Sequence, residues 1–264
     1  MKKLFQIIGV ISLMGISFFY TEKTVSVVKE YDDIMIEIKN NQNKYYKKYV
    51  NASINKDTII PGISGRKVNI NKSYSKMKRY GKYNESLIVI EKIKPKISVE
   101  NSKKYIIKGN KKNKNISIVF IDNNIDDILN ILDKKNIKAT FLLSNNWIEK
   151  NTNYIPILIK EKHIIGLTTY NKWGSDIIKK IGNQKNIYCF TDKKNKILLN
   201  KCDYTFLSNI IDNHFYEQTK NNLYNGSILV YNVNNTLKEE LPIIINYIKS
   251  RGYNIVNLEK LFTE

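Results

Sequence analysis

The stretch from Asn115 to Lys172 constrains this chain most. It opens on an almost unbroken apolar run, Ile116-Ser-Ile-Val-Phe-Ile121, and turns polar at Asp122-Asn-Asn124. Ile125, Ile128, Leu129, Ile131 and Leu132 then recur at helical spacing, which predicts one buried helix face. A second apolar strand, Ala139-Thr-Phe-Leu-Leu143, leads to one longer helix carrying Trp147, Ile148, Ile155, Ile157, Leu158 and Ile159. A third strand follows, Ile164-Ile-Gly-Leu-Thr-Thr-Tyr170. Strands apolar on both faces and alternating with helices are the pattern of parallel βαβ units, because helices must cover both sides of such a sheet.

The alternation continues to the end of the chain. Ile187–Phe190, Tyr204–Leu207, Gly226–Tyr231 and Asn254–Leu258 bring the candidate strands after residue 115 to seven. The clearest late helix runs from Leu237 to Lys249, with Leu241, Ile244, Ile245 and Ile248 on one face, and Gly252 supplies its C-terminal stop.

The N-terminal part reads differently. Lys2 and Lys3 precede seventeen uncharged residues, Leu4 to Tyr20. A basic start and an apolar core mark an export signal. Because the run ends Ser17-Phe-Phe-Tyr20, without small residues before a cleavage point, we read it as an uncleaved signal anchor with the bulk of the chain extracytoplasmic. A cleaved signal peptide is the alternative. Beyond it, Val25 and Val27 alternate like a short strand. Asp32-Asp33 is placed to cap a helix through Ile34, Met35 and Ile38, and Asn71 or Ser73 to cap another through Tyr74, Met77 and Tyr80. Tyr49 to Ile54 looks extended, Pro61-Gly62 marks a turn, and Ser86 to Ile93 is strand-like until Pro95. Lys108 to Lys114 is a basic linker and the boundary we draw.

From Asn115 onward the sequence resembles the polysaccharide deacetylase family, the NodB-homology domain of carbohydrate esterases. Family members write Thr-Phe-Asp-Asp-Gly, Lys-Ala-Thr-Phe-Phe and Gly-His-Glu-Ile-Gly-Asn-His-Thr-x-x-His. The counterparts are Val119-Phe-Ile-Asp-Asn123, Lys138-Ala-Thr-Phe-Leu142 and Lys162-His-Ile-Ile-Gly-Leu-Thr-Thr-Tyr-Asn-Lys172. Gly226-Ser-Ile-Leu-Val-Tyr231 and the Leu241-Pro242 to Gly252-Tyr253 ending match as well. The resemblance covers about residues 115 to 262 and implies an α/β fold, a distorted (β/α)7 barrel. A small α+β accessory region and the signal-anchor helix would precede it. The expected organisation is therefore an anchor at 1–23, an accessory region with linker at 24–114 and a deacetylase-like domain at 115–264.

The family's chemistry needs a divalent metal such as zinc on one Asp and two His, a second Asp as base and a late-strand His as acid. Carried over position by position, the base falls on Ile121 and the metal-binding Asp on Asp122. The two imidazole positions fall on Thr168 and Lys172, and the late-strand acid on Asn232. A hydroxyl is a poor substitute for imidazole, and an ammonium repels a divalent cation. Phe190-Thr-Asp-Lys-Lys194 stands where the family writes Arg-Pro-Pro-Tyr-Gly. Of the two histidines, His163 falls on a structural family position and His214 on none. The expected metal and catalytic sets are thus lost. What remains at the mouth as ligand-binding candidates is Asp122, Tyr170, Lys172, Trp173 and Tyr231. Lys172 is expected to take the vacated cation position opposite Asp122, or both to be solvated apart. Asn123-Asn124 leads almost directly into the first helix, which shortens the groove for a sugar polymer.

Charge narrows the partners. With 44 Lys plus Arg against 24 Asp plus Glu, the chain carries +20 over 264 residues. Such a surface attracts anionic partners, lipid headgroups or wall polymers among them, although AT-rich codon bias toward Lys, Asn and Ile accounts for part of it. No P-loop, Gly-x-Gly-x-x-Gly, nucleophile elbow or nucleic-acid-binding motif is present, and an export signal points away from nucleic acid. Cys189 and Cys202 read either as a disulfide, if exported, or as two buried thiols, with the thiols slightly ahead. The reading adopted is a membrane-anchored pseudoenzyme that binds cell-wall glycan or an envelope protein partner. The alternatives are a hydrolase acting on C–N bonds, deacetylating an envelope polysaccharide through an atypical site, and an electrostatic tether to anionic envelope polymers.

Overall fold

A computed structural model of the chain describes residues 11–18, 20, 29–121 and 125–264. Its strands, in chain order, are β1 (Ser53–Asn55), β2 (Thr58–Ile60), β3 (Gly65–Val68), β4 (Ile90–Ile93), β5 (Tyr105–Ile106), β6 (Asn115–Ile121) and β7 (Thr140–Leu142). They continue with β8 (Ile164–Leu167), β9 (Tyr188–Thr191), β10 (Tyr204–Leu207), β11 (Ile210–Ile211), β12 (Ile228–Asn232) and β13 (Asn254–Ile255). The chain forms two compact units, one of residues up to Lys48 with Gly65–Ile93, the other of Tyr49–Ser64 with Lys94–Glu264. Residues 11–18 and 20 are helical. Among the described residues no helix is long and apolar enough to cross a membrane, and most of the expected anchor, like Val25 and Val27, lies outside them.

In the smaller unit, the helix Asp33–Tyr45 starts where the acidic pair places it: the Asp32 carboxylate accepts the Ile34 N–H at 3.0 Å. Lys78 (2.6 Å) and the Tyr74 hydroxyl (3.1 Å) donate to its other oxygen. The Lys78 hydrogen bond above all holds the Asp32 carboxyl below its usual range. The second helix, Ile70–Lys78, is capped by Asn69 and not by Asn71 or Ser73. Ser73 is instead buried, donating to the Asn69 carbonyl and accepting the Val89 N–H. The strand expected from Ser86 begins only at Ile90, because Asn84 caps a 3-10 turn over Glu85–Leu87. β4 then pairs antiparallel with β3.

In the larger unit the hydrogen-bonded order is β1-β2-β5-β10-β9-β8-β7-β6-β12-β11, with β13 also on β6. All neighbours from β2 onward run parallel. The seven strands read from the sequence are present as β6 to β10, β12 and β13. The sheet curls without closing, since β1 and β11 end it. This is the α/β, distorted (β/α)7 architecture, opened at one seam. β1, β2 and β5 come from residues ahead of the 114/115 boundary, so this sheet draws on a segment the sequence reading placed in the accessory region.

Two apolar layers explain why the strands read as apolar on both faces. Ile116, Ile118 and Phe120 of β6 pack toward the helices, with Phe141, Leu229 and Tyr231. Val119 faces the barrel interior with Leu142, Tyr188, Phe190, Phe206 and Val230. That interior is filled by Leu258, Leu261 and Phe262 of the last helix, Leu258–Phe262. The long helix expected from Trp147 to Ile159 is two helices, Asn145–Lys150 and Ile155–Lys160, joined by a 3-10 turn. Pro156 accounts for the break: lacking an N–H, it fits the first turn of a new helix and not the interior of an old one. Gly226 (φ +87°) receives a hydrogen bond at its carbonyl from Gly109, and a Cβ on it would lie 2.4 Å from the Gly109 carbonyl oxygen. Only glycine fits that crossing.

The cysteines correct the thiol reading. Cys189, in β9, and Cys202, just after the helix Lys196–Lys201, form a disulfide with Cα atoms 6.0 Å apart. The intervening helix folds back over its own strand, so thirteen residues of separation become a short crossing. Closing a loop of this size restricts the unfolded chain by about 3 kcal/mol. The Cys189→Ala/Cys202→Ala variant is therefore expected to lose about 3 kcal/mol of unfolding free energy in a urea titration. A loss below roughly 0.5 kcal/mol, the size of an ordinary surface change, would show that the bond carries no stability.

Candidate functional site

The C-terminal ends of β6, β8 and β12 meet at one end of the barrel, where folds of this kind place their chemistry. Ile121 is the last residue of β6, half-buried and packed on the interior cluster. Its register partner on β12 is Asn232, also the last of its strand and exposed. The Val233 N–H donates to the Ile121 carbonyl at 3.3 Å and extends the pairing past the strand end. The position expected for a base and the position expected for an acid are therefore neighbours across two adjacent strands, and neither carries an ionisable group.

Thr168 follows β8 directly and is half-buried. Asn171 caps the helix Lys172–Lys180, its Oδ1 accepting the Trp173 N–H (2.8 Å) and the Gly174 N–H (3.3 Å). That cap sets Lys172 and Trp173 in the first helical turn, both exposed, Trp173 at 44%. Among the described residues Lys172 has no carboxylate within ion-pair distance. Asp122 lies outside the described residues, as do Asn123 and Asn124, and with them the expected Asp122–Lys172 pair and the shortened loop. Tyr170 is half-buried against the helix-side core, its hydroxyl 3.5 Å from Ser175 Oγ.

Tyr231 is not at the mouth. It is 0% exposed on the helix-facing side of β12, with its ring centroid 6.1 Å from those of Phe120 and Phe215. Its hydroxyl shares a 2.6 Å hydrogen bond with Thr219, and burial pushes its ionisation well above the usual range. The reason is strand parity: Val230 faces the interior, so Tyr231 faces the helices. Trp147 is half-buried on the same core and meets Tyr154 edge-on.

Asn145 is a mouth residue that the sequence did not single out. It opens the helix after β7, donates to Thr169 Oγ1 at 3.3 Å and leaves its own Oδ1 buried without a partner among the described residues. A Cβ at position 174 would lie 2.6 Å from that oxygen, so Gly174 makes room for it. The one signal was the pair Asn145-Asn146 after the capping Ser144, which reads as ordinary helix-start chemistry. The segment after β9 is held in place as well: Thr191 donates to the Lys193 carbonyl, and Lys194 pairs with Asp57 at 2.9 Å.

At the described positions the donor set does not fit a divalent metal, Asp122 lying outside them. Ile121 has no lone pair to offer, Thr168 a weak hydroxyl, Lys172 a positive charge and Asn232 a neutral amide. A different acidic group lies at the opposite, N-terminal end of the barrel strands, where Asp133, Glu161 and His163 bring one ligand atom each within 4.8 Å of one another. His163 Nδ1 accepts the Ala139 N–H at 3.2 Å, which leaves the proton of the neutral ring on Nε2. With one nitrogen bonded and the other protonated, the ring is a donor and not a metal ligand. Burial first, and then the Lys138 ammonium, push this imidazole down to about 4.

No family model matches the chain. The curated relative it resembles is the Uncharacterized protein YlxY of Bacillus subtilis, 35% identical over 154 residues, which are 56% of this chain and 48% of the relative. The chain thus spans about half the length of the curated relative it matches. Among solved structures, a Bacillus anthracis protein described as a CE4 family pseudoenzyme superposes with a TM-score of 0.61 at 22% identity, covering 88% of this chain and 96% of that one. A mutant of that protein, described as having restored enzymatic activity, gives 0.61 at 21% identity over 88% and 99%. A peptidoglycan N-acetylglucosamine deacetylase gives 0.51 at 19% identity over 60% and 92%. The chain has the fold of the CE4 polysaccharide deacetylases, including a pseudoenzyme built on that fold.

The buried imidazole makes a prediction. In the folded chain His163 takes up its proton near pH 4, in the unfolded chain near 6.5. Between those values the unfolded state binds the extra proton, so the His163 contribution is complete above pH 6.5 and is lost as the pH falls toward 4. The size is up to about 3 kcal/mol. His163→Gln keeps an acceptor for Ala139 and removes the titration. Its unfolding free energy is expected to fall less than that of the parent across this window, and parallel pH profiles would contradict the assignment.

Proposed function

We propose that this chain is a non-catalytic member of the polysaccharide deacetylase family, exported and held at the membrane, that binds cell-wall glycan at its barrel mouth. The observation that carries the proposal is the pairing of Ile121 with Asn232 at the ends of β6 and β12. Deacetylation needs a base and an acid on either side of the scissile amide. An isoleucine and an asparagine supply neither, and the positions around them offer a hydroxyl and an ammonium where imidazoles would stand.

Loss of catalysis leaves a usable binding surface. Trp173 presents an exposed indole face, Lys172 a charge, and Asn145 and Asn232 amides, the mixture that stacks on sugar rings and bonds their hydroxyls. The peptidoglycan deacetylase among the structural neighbours supports a wall glycan as the ligand class. Export is supported by the basic, apolar N-terminus and by the disulfide, since such bonds persist in oxidising compartments. An envelope protein docking on the same mouth is the second ligand class the reading allows.

The test is binding of the full chain to insoluble peptidoglycan and to soluble N-acetylglucosamine oligomers. Retention on both is expected, with the Lys172→Ala/Trp173→Ala variant binding at least about tenfold more weakly, as for an aromatic anchor and its neighbour. Equal binding by parent and variant would remove the mouth from the account. Retention that disappears for both with added salt would favour the electrostatic tether.

A further inference from the structure

We infer that the N-terminal end of the barrel, opposite the mouth, is a second ligand site that takes a phosphate- or carboxylate-bearing molecule of sugar size. A cleft of about 790 Å³ opens there, in the range of small-molecule sites. Its walls come from the starts of β6 to β9 and from the last helix. Lys138, Lys162, Lys185 and Lys260 line it against one acid, Glu259. Of these lysines only Lys138 has an ion pair among the described residues, with Asp133 at 3.6 Å. Asp133 and Glu161 approach the His163 ring but are not part of the lining.

The second observation is His163 itself. It lines the cleft, is 0% exposed, and its Nε2 has no hydrogen-bond partner among the described residues. The Ala139 N–H on Nδ1 makes that nitrogen a donor. A buried donor left unpaired is destabilising, and a ligand acceptor would relieve it. Packing explains the ring, which meets Phe141 edge-on, but not the free N–H. The nearby helix C-termini account for some lysine charge, yet three ammonium groups without ion pairs around an orphan donor favour an oxyanion.

The cleft wall is fixed in advance. Gln184 is buried and bonds both the N–H and the carbonyl of Ile165 at 2.9 Å. Asn257 donates to the Lys162 carbonyl (2.8 Å) and accepts the Lys260 N–H (3.0 Å), tying the turn before β8 to the last helix. The walls are therefore preorganised, and only the cover over Nε2 has to shift for a ligand to reach it.

The chain has two histidines, so ring resonances of the ¹⁵N-histidine-labelled full chain report His163 against His214 as internal control. Titration at neutral pH with inorganic phosphate, and separately with acetate, is expected to shift the His163 Nε2–H saturably, with a Kd of roughly 10 mM or tighter for at least one probe. Saturation by phosphate alone assigns a phosphate ligand, by acetate alone a carboxylate. The Lys162→Ala/Lys260→Ala variant, altered only at exposed side chains, should bind about tenfold more weakly. No saturable shift with either probe would mean that a buried water is the sole partner of Nε2 and would overturn the site. Equal shifts at both histidines, or unchanged affinity in the variant, would overturn it as well.

Discussion

The larger unit depends on β6 being buried on both faces and paired along both edges. β12 runs along one edge from Ser117 to Ile121, and β7 and β13 share the other. Ile116, Ile118 and Phe120 hold the helices, and Val119 and Ile121 face the barrel interior. Phe120, stacked between Phe141 and Tyr231, locks the neighbours in register. Ile121, Thr168 and Asn232 stand at or just after the strand ends, outside the two fully buried layers. Ile121 extends the interior cluster through apolar contact, which needs no polar partner.

The charge of +20 is carried mainly by exposed lysines. Its ion pairs lie at the surface and contribute little to stability. The excess is thus free to act on partners, and four of the lysines line a recess at the end of the barrel opposite the mouth. Two ends with different chemistry follow from one topology. Among the described residues, strand C-termini converge on Ile121, Thr168 and Asn232 with an indole and one ammonium beside them, and strand N-termini on lysines around a buried ring.

Much of the architecture was legible because local rules and global packing agree. Seven strands, the Asp32 cap and the helix ending at Gly252 were each written in a few consecutive residues. The mouth positions were legible through resemblance, since they lie at strand ends that periodicity locates well. Tyr231 was misplaced because a strand apolar on both faces hides its parity: Leu229 and Val230 look alike in sequence, yet one faces helices and the other the interior. The disulfide was not legible because its closeness comes from a helix folding back over β9. The His163 recess was not legible either. Its walls come from four strand starts and the last helix, and only the fold brings them together.

The proposed non-catalytic reading requires that the mouth bind no divalent metal of the kind metal-dependent deacetylation would need. Zinc binding and acetate release, measured side by side on the full chain and on its Ile121→Asp/Thr168→His/Lys172→His/Asn232→His variant, test it most directly. The account predicts no stoichiometric zinc and no acetate from the unaltered chain, with zinc bound by the variant. Stoichiometric zinc and acetate release from the unaltered chain would contradict it.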